Sequence, residues 1–281
     1  RRYSSPGRDD TSNSPPGRGQ GWVFYQLLYP ILFQFPGFTL YTQTVCLFIA
    51  FISGLLVAVH AGKHVAIPRL DLTDVVFWGF LSAILGARVL FMMLSWETTV
   101  FTLTEICTLG AKDGGFSFHG GLLAGGIVGF WVARHQQLPI WRLADVLALG
   151  LAVAMFFMRI GCLFNGCDYG VATTMPWGIF LHGATRHPIQ LYEGLGNLCL
   201  FPLLVVLNQK PTQAGQTFLL YMLCSGMIRL GVDFYREDAG RIWNLFTIPQ
   251  LLAAAIAVCA GFGLYTYRGK KKGESYKLSL L

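Results

Sequence analysis

Long apolar runs separated by short polar breaks dominate the chain. Seven of them come near the length that a bilayer core demands, about 20 residues per helix: residues 39–59, 75–95, 114–133, 145–164, 191–207, 215–235 and 246–266. They predict an all-α, polytopic membrane protein with seven transmembrane helices over residues 39–268. The stretch before them, "WVFYQLLYPILFQFPGF" at 22–38, is apolar too, but Pro30 and Pro36 interrupt it and it is short for a span. It is expected to lie flat, with Trp and Tyr at the headgroups. Residues 1–21 are rich in Pro, Gly, Ser and charge, cannot bury enough apolar surface to fold, and read as a disordered tail rather than a signal peptide. Residues 269–281 read as a basic cytoplasmic tail.

The polar breaks orient the runs. Lys63 and Arg69 follow the first run, Arg134 and Arg142 the third, Lys210 the fifth, and Arg268, Lys270, Lys271 and Lys272 the seventh. Positive residues collect on the cytoplasmic side, so the N-terminus is expected outside and the C-terminus inside. The composition agrees: 54% of residues are hydrophobic and 12% charged, whereas a soluble domain carries about 25% charge. Lys and Arg total 21 against 14 Asp and Glu, but much of the excess sits at the chain ends, so no nucleic-acid partner is expected. The seven cysteines show no repeated spacing, which argues against a disulfide scaffold. No cofactor or metal is expected.

Several ionisable residues fall inside the runs, where each costs at least about 2.5–3.5 kcal/mol to insert at the bilayer centre. They are Arg88, His119, Arg159, Glu193, Arg229 and Asp233, with Arg236 just beyond. Arg229 and Asp233 stand four apart and share a helix face, and Arg236 is three past Asp233. An internal salt bridge that locks neighbouring helices would explain such a pair. The depths suggest more: His119, Arg159, Glu193, Arg229 and Asp233 all fall towards the outer half of their runs. One wet cavity opening outward would solvate them together, and an excess of Arg over carboxylate would suit a phosphate. In a membrane that phosphate is a phospholipid headgroup.

Glycine is the second theme. In "GGFSFHGGLLAGG", residues 114–126, Gly121 and Gly125 form a G-x-x-x-G pair, which by itself is explained by close helix packing. Gly114, Gly115, Gly120 and Gly126 exceed what packing requires and could admit a ligand beside the backbone. His119 stands among them, which favours a functional role over that of a satisfied core histidine.

Four blocks in order resemble the phosphatidylglycerol–prolipoprotein diacylglyceryl transferase family. They are "GGFSFHGGLLAGG"; "RIGCLFNGCDYG" at 159–170, where the family usually reads R-I-G-N-F-x-N-G-E-x-x-G; "RHPIQLYEG" at 186–194; and "RLGVDFYRE" at 229–237. "LGARVLFMML", with Arg88, matches more weakly. The resemblance implies transfer of diacylglycerol from phosphatidylglycerol to a lipobox cysteine thiol of a prolipoprotein at the outer face of the bacterial cytoplasmic (inner) membrane, leaving a thioether and glycerol phosphate. It implies that Arg159 and Arg229 hold the phosphate, that His119 is a candidate base, and that Asp233 takes the place of a family glutamate. By the same resemblance Tyr41, Arg88, Cys162, Asn165, Cys167, Gly170, Glu193 and Arg236 would line the substrate site.

Two signature positions differ. Cys162 stands where the family has Asn, and Cys167 where it has Glu. Asp168 could supply the lost carboxylate from one position away, though on a helix that is a different direction. The two thiols could be inert, disulfide-linked, nucleophilic or, least of all, a metal pair. The outer segment after the signature is compressed to about 171–185. Two rival expectations follow: the same phospholipid chemistry on a different acceptor, or a non-catalytic lipid-binding protein or transporter.

Overall fold

The computed structural model describes residues 30–35, 38–94, 117–209, 213–237, 241–242 and 246–278. The tail 1–21, most of the stretch 22–38 and the break 96–113 therefore lie outside the described residues, as do Gly114 and Gly115. Among the described residues seven α-helices make up the body: α1 Thr42–Gly62, α2 Arg69–Leu94, α3 Phe118–His135, α4 Ile140–Asn165, α5 Ile189–Gln209, α6 Gln216–Asp233 and α7 Ile248–Leu278. Each coincides with one of the seven apolar runs. Five of them, α1, α2, α4, α5 and α7, are long and apolar enough to cross a bilayer. The helices α3 and α6 are the shortest, at 18 residues each. Glycine and the ionisable residues at their ends dilute their hydropathy.

The helix ends differ from the apolar runs for identifiable reasons. Helix α2 starts at Arg69 rather than near 75, because Asp71, Thr73 and Asp74 are polar yet occupy its first turns, with the Thr73 hydroxyl donating to the Arg69 carbonyl at 2.8 Å. Helix α7 runs on to Leu278, so much of the basic tail continues a helix. The segment before α1 departs most from expectation. Residues 31–35 and 38–41 pair as an antiparallel hairpin, β1 and β2. The Thr42 N–H donates to the Pro30 carbonyl, seating this hairpin on the start of α1. Two further hairpins, Ile179–Leu181 with Ala184–Arg186 (β3, β4) and Arg241–Ile242 with Phe246–Thr247 (β5, β6), follow α4 and α6.

Helix α4 is central. Half of its most apolar window is buried, against 17% for α2, and it packs on α1, α5 and α6. At one end of the bundle a shared core joins Ala58 and Ala61, Leu72 and Val75, Val132, Val146 and Leu149, Leu204 and Tyr221. Many large apolar side chains face outward instead, among them Leu56, Leu85, Ile127, Val258 and Phe262. In lipid such faces need no cover, and helix association rests on close packing and buried polar contacts.

Both kinds of contact are visible. Asp145 of α4 is buried and caps α6 across the bundle, accepting the Gly215 N–H at 2.7 Å and the Phe218 N–H at 2.9 Å. It satisfies two of the donors that a helix start leaves open. Helices α2 and α3 meet along small residues. A Cβ on Gly125 would come 2.9 Å from the Gly79 oxygen, and one on Gly121 would come 3.1 Å from the Ala83 oxygen. Gly120 is tighter still, since its Cβ would overlap the Gly86 oxygen and come 2.6 Å from Leu90 Cβ. Gly126 has nothing within 4 Å.

Gly120→Ala is expected to destabilise the fold by about 1–3 kcal/mol through overpacking. Gly126→Ala should be neutral or slightly stabilising, by up to about 1 kcal/mol. Unfolding of the two variants in the same detergent checks the contrast.

Candidate functional site

The site forms where α4 ends, α5 begins and α6 ends. Helix α4 stops at Asn165 because Gly166 adopts a left-handed conformation, φ 75°. The Gly166 N–H donates to the Leu163 carbonyl and the Cys167 N–H to the Cys162 carbonyl, both at 3.2 Å. This is the Schellman arrangement, which brings a residue of the last helical turn next to the second residue past the helix. Cys162 and Cys167 therefore adjoin, as free thiols, with the Cys167 Sγ 3.5 Å from the Cys162 carbonyl oxygen. Asn165, the last helical residue, lies beside Cys167.

The turn also redirects Asp168, whose own φ is 53°. On a continued helix its carboxylate would point away from Arg159. Here it accepts Arg159 Nη1 at 2.6 Å and is also paired with Arg236 Nη2. Glu193, in the second turn of α5, bridges Arg159 Nη2 at 2.8 Å and Arg229 Nη1 at 2.7 Å. Asp233 closes the circuit from the end of α6, 3.3 Å from Arg229 Nε and 4.0 Å from Arg236 Nη1. The result is a closed ring of alternating charge: Arg159, Asp168, Arg236, Asp233, Arg229, Glu193 and back to Arg159.

Five of these six were expected at the site. Asp168 was not placed there, because its direction depends on the glycine turn. Its presence also changes the charge balance: the ring holds three arginines and three carboxylates, rather than an excess of arginine. Burial alone would raise the Asp168 carboxyl, but the Arg159 and Arg236 guanidiniums outweigh it and hold it below the usual carboxylate range.

A supporting layer surrounds the ring. Thr247 Oγ1 donates to Asp233 Oδ2 at 3.4 Å. Asn197 donates to the Glu193 carbonyl at 2.9 Å and accepts the Ser225 hydroxyl at 2.9 Å, tying α5 to α6. Gln190 donates to the Cys167 carbonyl at 2.7 Å. Arg186, read from the sequence only as part of a matching block, is buried and organises the β3–β4 hairpin. It donates to the Leu181 and Gly170 carbonyls at 3.0 and 3.1 Å, pairs with Glu237, and lies 4.7 Å from the Tyr169 ring centroid.

The remaining expected residues fall around the ring. Gly170 is bridged backbone to backbone with Arg236, and a Cβ there would strike the His187 oxygen at 2.5 Å, which gives this glycine a packing role. Tyr41 precedes α1, whose first turn packs on Gly161, two residues past Arg159. Arg88 is buried on α2, its guanidinium 6.0 Å from the Phe91 ring centroid. It adjoins Ala87, whose carbonyl accepts the Ser117 N–H where α3 opens. The backbone of His119 lies in the first turn of α3, and its side chain lies outside the described residues.

An apolar helical bundle with a partly buried arginine–carboxylate ring at one end defines a multi-pass membrane protein with a charged site at the end of its helices. The chain belongs to the prolipoprotein diacylglyceryl transferase family, whose model matches residues 30–267. Among similar proteins are phosphatidylglycerol–prolipoprotein diacylglyceryl transferases of three bacteria. The one from Geobacter sulfurreducens is 34% identical over 69% of this chain and 77% of its own length. That from Finegoldia magna is 31% identical over 74% and 83%, and that from Aliarcobacter butzleri 29% identical over 88% and 97%.

Two outcomes follow from the ring. Glu193→Ala leaves the buried Arg159 and the half-buried Arg229 short of a partner and should cost about 2–4 kcal/mol of stability, below the full penalty of a wholly buried pair. The cost should shrink when Arg159 and Arg229 are also replaced, which a mutant cycle on unfolding free energies reads directly. The depressed Asp168 carboxyl stabilises the fold at every pH above its unfolded value, about 4. That contribution is lost as the pH falls further, through the folded-state value. Acid unfolding should therefore have a limb below about pH 4 that is reduced in Asp168→Asn.

Proposed function

We propose that this chain transfers the diacylglyceryl group of phosphatidylglycerol to the lipobox cysteine thiol of a prolipoprotein, releasing glycerol phosphate. The observation that carries the reading is the convergence of Arg159, Arg229 and Arg236 in one buried cluster, within a member of the transferase family. The acceptor thiolate attacks the glyceryl carbon that bears the phosphate ester. A carbon–sulfur bond forms, the carbon–oxygen bond breaks, and the electron pair leaves on the phosphate oxygen. Arginine forks match the phosphate oxygens and stabilise that developing charge where water is scarce. The thiol must lose its proton first, since the thiolate is the nucleophile. His119 is the base in this reading. Asp233 aligns Arg229, and Glu193 fixes Arg159 and Arg229 relative to each other.

All seven helices span the bacterial cytoplasmic membrane in this reading, α3 and α6 included, because a chain that alternates direction needs both. Lys63, Arg69, Arg134 and Arg142 then gather at the end of the bundle opposite the ring. By the positive-inside rule that end is cytoplasmic, which puts the N-terminus and the site towards the outer face. Cys162, Cys167 and the short segment 171–185 favour a second reading, the same donor chemistry on a different acceptor.

Purified protein with labelled phosphatidylglycerol and a lipobox peptide should yield a lipidated peptide. Arg159→Ala and Arg159→Lys should each lower the rate by about 100-fold or more, because lysine lacks the fork, and His119→Ala should also impair it. Glycerol phosphate release without peptide modification would favour the second reading. A folded Arg159→Ala protein with full activity would remove the site assignment.

A further inference from the structure

The ring is electrically balanced as it stands. A phosphodiester brings a further negative charge into a buried site whose guanidinium forks already face carboxylates. Asp168 already fills the seat that joins Arg159 to Arg236, so a phosphate that takes those two groups at once has to displace a carboxylate. The three are not equivalent. Asp233 is fully buried and Glu193 6% exposed, and both are rooted in helices. Asp168 is 25% exposed and sits past the helix end, on a residue with positive φ close to a left-handed glycine. It is anchored to the ring by its two arginine contacts, Arg159 Nη1 and Arg236 Nη2.

We propose that Asp168 is a built-in stand-in for the donor phosphate. It occupies the seat between Arg159 and Arg236 in the free protein, the lipid phosphate displaces it, and it returns to help expel the phosphate product. This rests on the reading of the arginines as the donor site. Asp168 is thus a specificity-determining residue: it keeps the arginines paired and aligned between turnovers, and it sets how strong an anion must be to enter. Neutral lipids gain nothing from opening the ring.

The test is phosphatidylglycerol binding to the full chain in non-ionic detergent, with diacylglycerol as the phosphate-free comparison. Asp168→Asn and Asp168→Ser should bind phosphatidylglycerol on the order of tenfold more tightly than the parent, because a competing charge at contact distance is gone. Diacylglycerol binding should not change. Asp168→Glu, which keeps the charge, should restore binding to near the parent's. In turnover, Asp168→Asn should lower KM for phosphatidylglycerol and also lower kcat, with stronger inhibition by added glycerol phosphate. Equal or weaker phosphatidylglycerol binding by folded Asp168→Asn and Asp168→Ser would overturn the proposal. Absence of transfer to a lipobox peptide by the parent chain would instead count against the proposed reaction, and the binding comparison would still decide the role of Asp168.

Discussion

The closed ring of alternating charge is the constraint on which the rest of this molecule depends. Six ionisable groups are held at the end of an apolar bundle, where an unpaired charge is costly. Each arginine meets two carboxylates and each carboxylate two arginines, so removing any member exposes two others. The glycine turn that ends α4, the second turn of α5 and the end of α6 are brought together around the ring. The Asp145 cap serves the same end from further away, since it ties α6, which brings Arg229 and Asp233 to the ring, to α4.

The same arrangement connects stability to chemistry. An arginine cluster able to receive a phosphate would repel itself when empty. Carboxylates solve that problem in the free protein, and the phosphate must then compete with them. A site of this kind holds its geometry without ligand and needs no reorganisation of helices to receive one. The one movable element it requires is short, and the turn after α4 supplies it.

Much of this was legible along the chain. The seven apolar runs coincide with the seven helices, because a bilayer length of apolar residues leaves few other options. Arg229 and Asp233 were readable as a pair from their spacing, and Arg159 and Glu193 as members of the same cluster from their shared depth. Asp168 was harder. Whether it faces Arg159 depends on a left-handed glycine two turns after that arginine, and a residue count along an imagined helix points it elsewhere. Asp145 was hidden for a different reason: its partners are backbone groups 70 residues away, which leave no mark in a side-chain pattern. The hairpin at 31–41 was obscured by its composition, since apolar residues interrupted by proline suit an interfacial segment as well as a strand pair. The joint loss of the family's Asn and Glu at 162 and 167 looked like the loss of a carboxylate. The structure shows the carboxylate one residue later, with the two thiols side by side at the turn.

The most direct measurement is an experimental structure of the chain in a lipid nanodisc containing phosphatidylglycerol. A headgroup phosphate is expected within hydrogen-bonding distance of Arg159 and Arg236, with the Asp168 carboxylate withdrawn from both. A bound phosphatidylglycerol whose phosphate lies elsewhere, with all six ring contacts intact, would contradict the assignment of the ring as the donor site.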